Sequence, residues 1–153
     1  MMDFFLTHIY NPILTAAVAG WGAAQIIKFI LFFVQHRSVK LERLYGSGGM
    51  PSSHSALVCA AFATTGRSEG WNSPALALMF VIGAIVMYDA ANVRLEAGKH
   101  AKQLNRIMTR LLDMDIDIED KGKEFKELLG HTPLQVFVGA MLGLGIGAVI
   151  PLL

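Results

Sequence analysis

Apolar residues dominate four stretches of the chain, and polar segments separate them. The apolar stretches cover about 12–34, 54–66, 74–91 and 132–153, and the polar loops cover 35–53 and 92–131. A helix needs roughly 20 apolar residues to cross a hydrocarbon core of about 30 Å. The second stretch is shorter than that and begins next to a Ser-rich turn. The pattern predicts an all-α polytopic membrane helix bundle of about four transmembrane helices, with residues 1–153 as a single integral membrane domain.

The polar loop after Asn92 has a helical pattern of its own. Leucine, isoleucine and methionine recur at helical spacing up to about Leu112, and basic residues lie between them. This pattern predicts an amphipathic helix that rests on the cytoplasmic surface or packs over the loop.

Basic residues concentrate in the two loops and predict the orientation. The first loop has Arg37, Lys40 and Arg43 against Glu42, and the N-terminal tail has Asp3 but no Lys or Arg. The second loop is most basic beside the third stretch, with Arg94, Lys99, Lys102, Arg106 and Arg110 against Glu96. The positive-inside rule predicts cytoplasmic loops and external termini in a plasma or inner membrane.

Composition agrees with a membrane protein and limits its partners. The chain is 54% hydrophobic and only 16% charged, where soluble domains have about 25% charged residues. The net charge of +1 gives no indication of a nucleic-acid partner. Small residues at four-residue spacing predict close helix packing within one bundle, and the alternative is a homodimer face. These residues are Ala16, Gly20 and Ala24 on the first span and Gly139, Gly143 and Gly147 on the last.

The segment Gly46-Ser-Gly-Gly-Met-Pro-Ser-Ser-His54 is the strongest local signal for chemistry. Glycine amides, serine hydroxyls and a helix N-terminus together suit a bound phosphate. Pro51 stands where a helix can begin, and His54 follows in its first turn. The alternative is an ordinary N-cap followed by a surface histidine.

Other polar groups stand at the ends of the predicted spans. Lys28 lies within the first span, Asp89 and Arg94 flank the end of the third, and His131 and Gln135 stand one helical turn apart at the start of the fourth. Two histidines with nearby cations suit phosphoryl transfer, because one imidazole can attack phosphorus while another protonates the leaving oxygen. Such chemistry requires no metal or other cofactor.

An acidic segment follows the predicted amphipathic helix. The spacing of Asp113, Asp115 and Asp117 partly matches a calcium loop, but Ile118 stands where that loop needs glycine. A solvated acidic turn is therefore expected over 113–120.

Four stretches of the chain resemble the divergent branch of the type-2 phosphatidic acid phosphatase superfamily, related to the acid phosphatases and vanadium haloperoxidases. They are Ala24-Gln-Ile-Ile-Lys28, Gly48-Gly-Met-Pro-Ser-Ser-His-Ser-Ala56, Met87-Tyr-Asp-Ala90 with Val93-Arg94, and Leu129-Gly-His-Thr-Pro-Leu-Gln-Val136. The resemblance covers nearly the whole chain. The parent motifs are a Lys followed by Arg-Pro, Pro-Ser-Gly-His, and Ser-Arg-x5-His-x3-Asp.

The resemblance implies a role for each matching residue. His54 matches the leaving-group acid, Lys28 the lysine of the first motif, and Arg94 the arginine of the third. Two histidines match the nucleophile of the third motif. His131 opens a span and has Gln135 at the position of the family Asp. His100 keeps the family spacing from Arg94 but has Leu104 at that position, and the choice between the two stays open. The catalytic residues predicted are His54, Arg94, His131 and Gln135, and the phosphate-binding residues are Lys28, Gly48, Gly49, Ser52, Ser53, Asp89 and His100.

Two functions fit these residues. One is a metal-independent phosphatase that hydrolyses the phosphomonoester of a lipid, such as phosphatidate or a prenyl phosphate, through a phosphohistidine. The other is a membrane protein that binds anionic lipid headgroups without turnover, or assists their transport or a partner's assembly. The Pro-Ser-Ser-His segment favours the first, whereas Gln135 in place of Asp and the missing Arg-Pro favour the second.

Overall fold

Five α-helices and one π turn make up the part of the chain that the structure describes. The structure is a computed structural model, and it describes residues 10–37, 49–114, 125 and 130–152. The elements are α1 (Pro12–His36), α2 (Ser53–Glu69), α3 (Pro74–Tyr88), the π turn (Asp89–Val93), α4 (Arg94–Asp113) and α5 (Pro133–Val149). The described residues contain no strand. The predicted all-α helix bundle is therefore confirmed.

Polar N-caps start the helices that form the bundle. Each cap side chain accepts hydrogen bonds from backbone N–H groups of the first turn, which have no partner within the helix. Proline follows three of the caps, where its fixed φ suits a helix start. The caps are Asn11, Ser52, Ser73 and Thr132, with Pro12, Pro74 and Pro133 after the first, third and fourth.

The helices differ in how much apolar surface they present. By length and composition, Pro12–Gln35 and the continuous helical stretch Pro74–Asp113 could cross a membrane, and α5 is a shorter apolar helix. Large apolar side chains of α1, α3 and α5 point outward. By contrast, α2 is rich in Ala, Ser and Thr, and most of its residues are buried. It is also longer than the predicted stretch 54–66, because its polar residues Arg67, Ser68 and Glu69 continue the helix.

Close backbone contact holds α2 between α1 and α5. A Cβ atom at Gly139 would overlap the carbonyl oxygen of Ser52, and Cβ atoms at Gly143 and Gly147 would overlap those of Ala56 and Ala60. On the other side of α2, a Cβ atom at Gly20 would lie 2.7 Å from the Ala56 carbonyl oxygen. Only glycine permits these approaches.

Both small-residue stripes are therefore used inside one chain. Ala16 and Ala24 are fully buried, and Gly20 packs on α2. The stripe Gly139–Gly143–Gly147 packs on the opposite side of α2. Packing within one bundle therefore accounts for the glycines of both stripes, and a homodimer face stays a prediction.

The chain continues as helix from α3 into α4, where the sequence pattern predicts a polar loop from Asn92. The continuous stretch Pro74–Asp113 has 40 residues, which corresponds to about 60 Å of α-helix. No proline or glycine stands between Pro74 and Asp113 except Gly83 and Gly98, so nothing in the sequence ends the helix at Tyr88. The predicted amphipathic helix exists as α4, but it begins directly at the π turn.

At the far end of the bundle, the start of α1, the end of α5 and the end of α2 lie together. The Arg67 guanidinium donates to the carbonyl oxygens of Gly147 at 2.9 Å and Ile150 at 2.7 Å. The Tyr10 hydroxyl donates to the carbonyl oxygen of Pro151 at 2.8 Å. The beginning of α1 and the end of α5 thus lie together, opposite the end where α2 and α5 begin.

Replacing Gly143 with alanine tests the α2–α5 contact. We expect Gly143→Ala to destabilise the protein by about 1–3 kcal/mol, because the new methyl group overlaps the backbone of Ala56. Thermal unfolding in detergent measures the effect. Gly145→Ala is the matched control, since nothing lies within 4 Å of a Cβ atom there. Equal melting temperatures for the two variants would contradict the packing described.

Candidate functional site

A cavity of about 220 Å³ lies at the end of the bundle where α2 and α5 begin and α3 ends. Its described lining combines two histidines, an arginine and an aspartate with apolar residues of α3. The lining residues are His54, Ile85, Val86, Asp89, Ala90, Arg94 and His131. Residues from two apolar blocks of the sequence and from both ends of the polar loop 92–131 therefore meet around one space.

The π turn holds His131 through its backbone. The His131 N–H donates to the carbonyl oxygen of Ala90 at 3.0 Å. A π turn shifts the helical hydrogen-bond pattern by one residue, and such turns recur at functional sites. The approach also requires Gly130, because a Cβ atom there would overlap the backbone of Leu95 and Arg94. The segment before α5 is thus fixed against the start of α4.

Gln135 favours a proton on Nδ1 of the His131 imidazole. The Gln135 side-chain oxygen accepts from the backbone N–H of Thr132 at 3.1 Å, so the atom facing that donor is the carbonyl oxygen. The same oxygen lies 3.3 Å from His131 Nδ1, which must therefore donate. In the neutral ring, Nε2 then keeps its lone pair. Thr132 and Gln135 also form the capping box of α5, so one amide both starts the helix and orients the imidazole.

The surroundings of His131 favour its neutral form. The side chain is buried, and burial is the main cause that lowers its pKa from the ordinary value. The hydrogen bond with Gln135 acts in the opposite direction and raises the pKa. The positive charges of Lys28 and His54 lower it further, and a backbone group of Gly49 raises it. The net lowering leaves a neutral imidazole at pH 7.

Lys28 reaches the start of α2 from the middle of α1. Its ammonium group donates to the Ser53 hydroxyl at 3.3 Å, and the lysine residue is 8% exposed. The aliphatic part of the side chain lies beside Gly49, which has a positive φ of 86° that suits glycine. Lys28 is thereby joined to the Pro-Ser-Ser-His segment. It lies near His131 without lining the cavity.

The buried Ser52 stabilises the start of α2. It is fully buried, its hydroxyl is the N-cap of α2, and Ser55 donates to that hydroxyl at 3.0 Å. The Ser52 N–H donates to the carbonyl oxygen of Gln135 at 3.0 Å, which joins the starts of α2 and α5. With these partners, Ser52 positions the segment and its hydroxyl does not line the cavity.

Arg94 and Asp89 face each other at the edge of the cavity. The Arg94 Nε lies 2.5 Å from the Asp89 Oδ2, and both side chains are partly exposed. His100 lies on α4, about 9 Å further along a helix from Arg94, and is absent from the described cavity lining. The structure thus brings His54, Arg94 and His131 together and leaves His100 outside.

Some of the predicted residues lie outside the described part of the chain. Gly48 does, and so does the acidic segment from Asp115 to Asp120. Among the described residues, no group of three or more His, Cys, Asp or Glu side chains could hold a metal ion. Ala90, whose carbonyl oxygen accepts from the His131 N–H, was not among the predicted site residues. The glycine directly before His131 was a signal for close backbone approach.

Comparison with known proteins identifies the family of the chain. The chain matches the Divergent PAP2 family over residues 9–146. It is 34% identical over 139 residues to the uncharacterized membrane protein YuiD of Bacillus subtilis (strain 168), and the match covers 86% of this chain and 88% of that relative. No solved structure matches the chain significantly. With its apolar helices and this match over most of its length, the chain is a membrane protein that belongs to the Divergent PAP2 family.

Proposed function

We propose that this protein is a metal-independent phosphatase that hydrolyses the phosphomonoester of a membrane lipid. The observation that carries the proposal is the convergence of His54, Arg94 and His131 on one cavity, with Gln135 orienting His131. These groups supply the parts that phosphoryl transfer through a histidine requires: a nucleophile, a proton donor and a cation.

His131 acts as the nucleophile in the proposed reaction. The Nε2 lone pair attacks phosphorus, the bond from phosphorus to the lipid oxygen breaks, and protonated His54 donates its proton to that oxygen. Arg94 stabilises the negative charge on the transferring group. In the second step, neutral His54 takes a proton from water while the water oxygen attacks phosphorus. The bond from phosphorus to Nε2 then breaks, which releases inorganic phosphate and restores both histidines.

The surroundings of the cavity favour an amphiphilic substrate. A second groove shares Ile85 and Asp89 with the cavity and is otherwise lined by Ala84, Tyr88 and Val93. Ile85, Tyr88 and Val93 are exposed on the outer face of the helix that could cross a membrane. A phosphate in the cavity can thus continue into a hydrocarbon chain along α3, as in phosphatidate or a prenyl phosphate.

Binding of anionic headgroups without turnover is the second candidate. The amide of Gln135 orients His131 but carries no negative charge to offset the charge that develops on the imidazole during attack. In a serine protease, the comparable carboxylate-to-amide change lowers the rate about 10⁴-fold. Measured turnover by the wild type separates the two candidates.

Single substitutions in the cavity test the proposed reaction. With phosphatidate or undecaprenyl phosphate in detergent and EDTA present, we expect His131→Ala to abolish phosphate release. We expect His54→Ala to lower it about 10²- to 10⁴-fold, the usual contribution of general acid catalysis. His100→Ala is the control and should keep activity. Loss of activity in His100→Ala alone would assign the nucleophile to His100, and no release by the wild type would favour the binding protein.

Gln135→Glu tests the electrostatic role of this position. The carboxylate keeps the capping box, and its negative charge stabilises the imidazolium. We therefore expect the pKa of His131 to rise, so that its imidazole loses its proton at a higher pH than in the wild type. We also expect phosphohistidine to form at least about tenfold faster. NMR titration of histidine-labelled protein measures the pKa without needing turnover. An unchanged His131 titration would contradict the contact between these side chains.

We further propose that the cavity faces the cytoplasm, because the basic side chains of α4 follow it directly along the chain. A cysteine at Gln103, which is exposed on α4, should resist impermeant thiol reagents in intact cells. A cysteine at Asn72, in the turn between α2 and α3 at the opposite end, should react. The reverse labelling pattern would invert the orientation.

A further inference from the structure

The ion pair between Asp89 and Arg94 needs an explanation other than stability. Both side chains are partly exposed, at 38% and 52%, and ion pairs in such positions contribute little to the free energy of folding. Both residues also line the cavity proposed to hold a phosphate. An ionised carboxylate only accepts hydrogen bonds and repels a phosphate, so Asp89 is poorly suited to bind the substrate directly.

The π turn makes this pair geometrically possible. Residues five apart on a regular α-helix differ by about 140° around the axis, so their side chains point in different directions. The π turn spans Asp89–Val93, and the Arg94 backbone N–H donates to the Asp89 carbonyl oxygen, which closes the wider ring. Asp89 and Arg94 are thereby brought to one side, facing the cavity.

The contact uses one particular edge of the guanidinium. Asp89 Oδ2 meets Nε, and the two terminal Nη groups retain four N–H donors. Two Nη groups side by side match two phosphate oxygens in a bidentate pair. A carboxylate on Nε thus restricts the rotation of the arginine and leaves the phosphate-binding edge available.

We propose that Asp89 is a positioning residue, which holds Arg94 through Nε so that its terminal N–H groups bind the phosphate in the cavity. This inference rests on the phosphate site proposed above and replaces the expectation that Asp89 contacts phosphate itself. The same π turn holds the His131 backbone at Ala90, so it sets the position of the arginine relative to the nucleophile.

Binding of inorganic phosphate to the purified protein, measured by titration calorimetry in detergent, tests the inference without requiring turnover. We expect Asp89→Ala to weaken phosphate binding about tenfold, the loss expected for one charge-assisted hydrogen bond. Asp89→Asn keeps an oxygen that accepts from Nε and should stay within about threefold of the wild type. In the Arg94→Ala background, Asp89→Ala should have no further effect, because Asp89 acts through Arg94.

Glu96→Ala is the matched control, since it removes a nearby exposed carboxylate that pairs with Lys99 at 2.6 Å. It should leave phosphate affinity unchanged. The inference would be overturned if Asp89→Ala bound phosphate more tightly than the wild type. It would also be overturned if Asp89→Ala had an equal effect with and without Arg94, or if the wild type bound no phosphate. The expected binding pattern without hydrolysis of lipid phosphates would support the role of Asp89 and overturn only the proposed phosphatase activity.

Discussion

The close contact between the backbones of α2, α1 and α5 is the constraint on which the rest of this structure depends. Ala56 is fully buried, and its carbonyl oxygen lies directly against Gly20 on one side and Gly143 on the other. Such contact fixes how α2 is rotated about its axis and how far it is shifted along α1 and α5, because glycine has no side chain that could move to accommodate a different position. The position of Ser52 against Gln135, and hence the junction beneath the cavity, follows from that register.

Patterns along the chain predicted most of the architecture. Three long apolar blocks and the proline-marked starts at Pro12, Pro74 and Pro133 correspond to observed helices, because hydrophobic runs and caps act locally. The length of α2 was underestimated, since its polar C-terminal residues are stabilised by tertiary contacts such as those of Arg67 with α5. The continuous helix from α3 into α4 was missed because a change from apolar to amphipathic composition resembles a loop boundary.

The residue types of the candidate site were predictable from the sequence, but the backbone hydrogen bonds that bring those residues together were not. Glycines, serines and histidines at the ends of apolar blocks indicated a phosphate site near His54 and His131. The π turn that joins Arg94 to His131 depends on a shift in backbone hydrogen bonding, which leaves no signature in residue spacing. His131 and His100 both satisfy a local sequence pattern, and only His131 is in the described lining of the cavity, which supports it as the proposed nucleophile.

The composition of α2 has a consequence for how the protein enters a bilayer. The Pro-Ser-Ser-His segment runs into the start of this helix, and the serines, threonines and alanines of the helix make it the least apolar of the bundle helices. Thr64, which donates to the Gly147 carbonyl oxygen at 3.2 Å, gains that partner only when α5 is present. We therefore expect stable burial of α2 in a bilayer to depend on its packing against α5. A nascent chain that lacks α5 leaves the Ser52 N–H and the Thr64 hydroxyl without their partners on that helix.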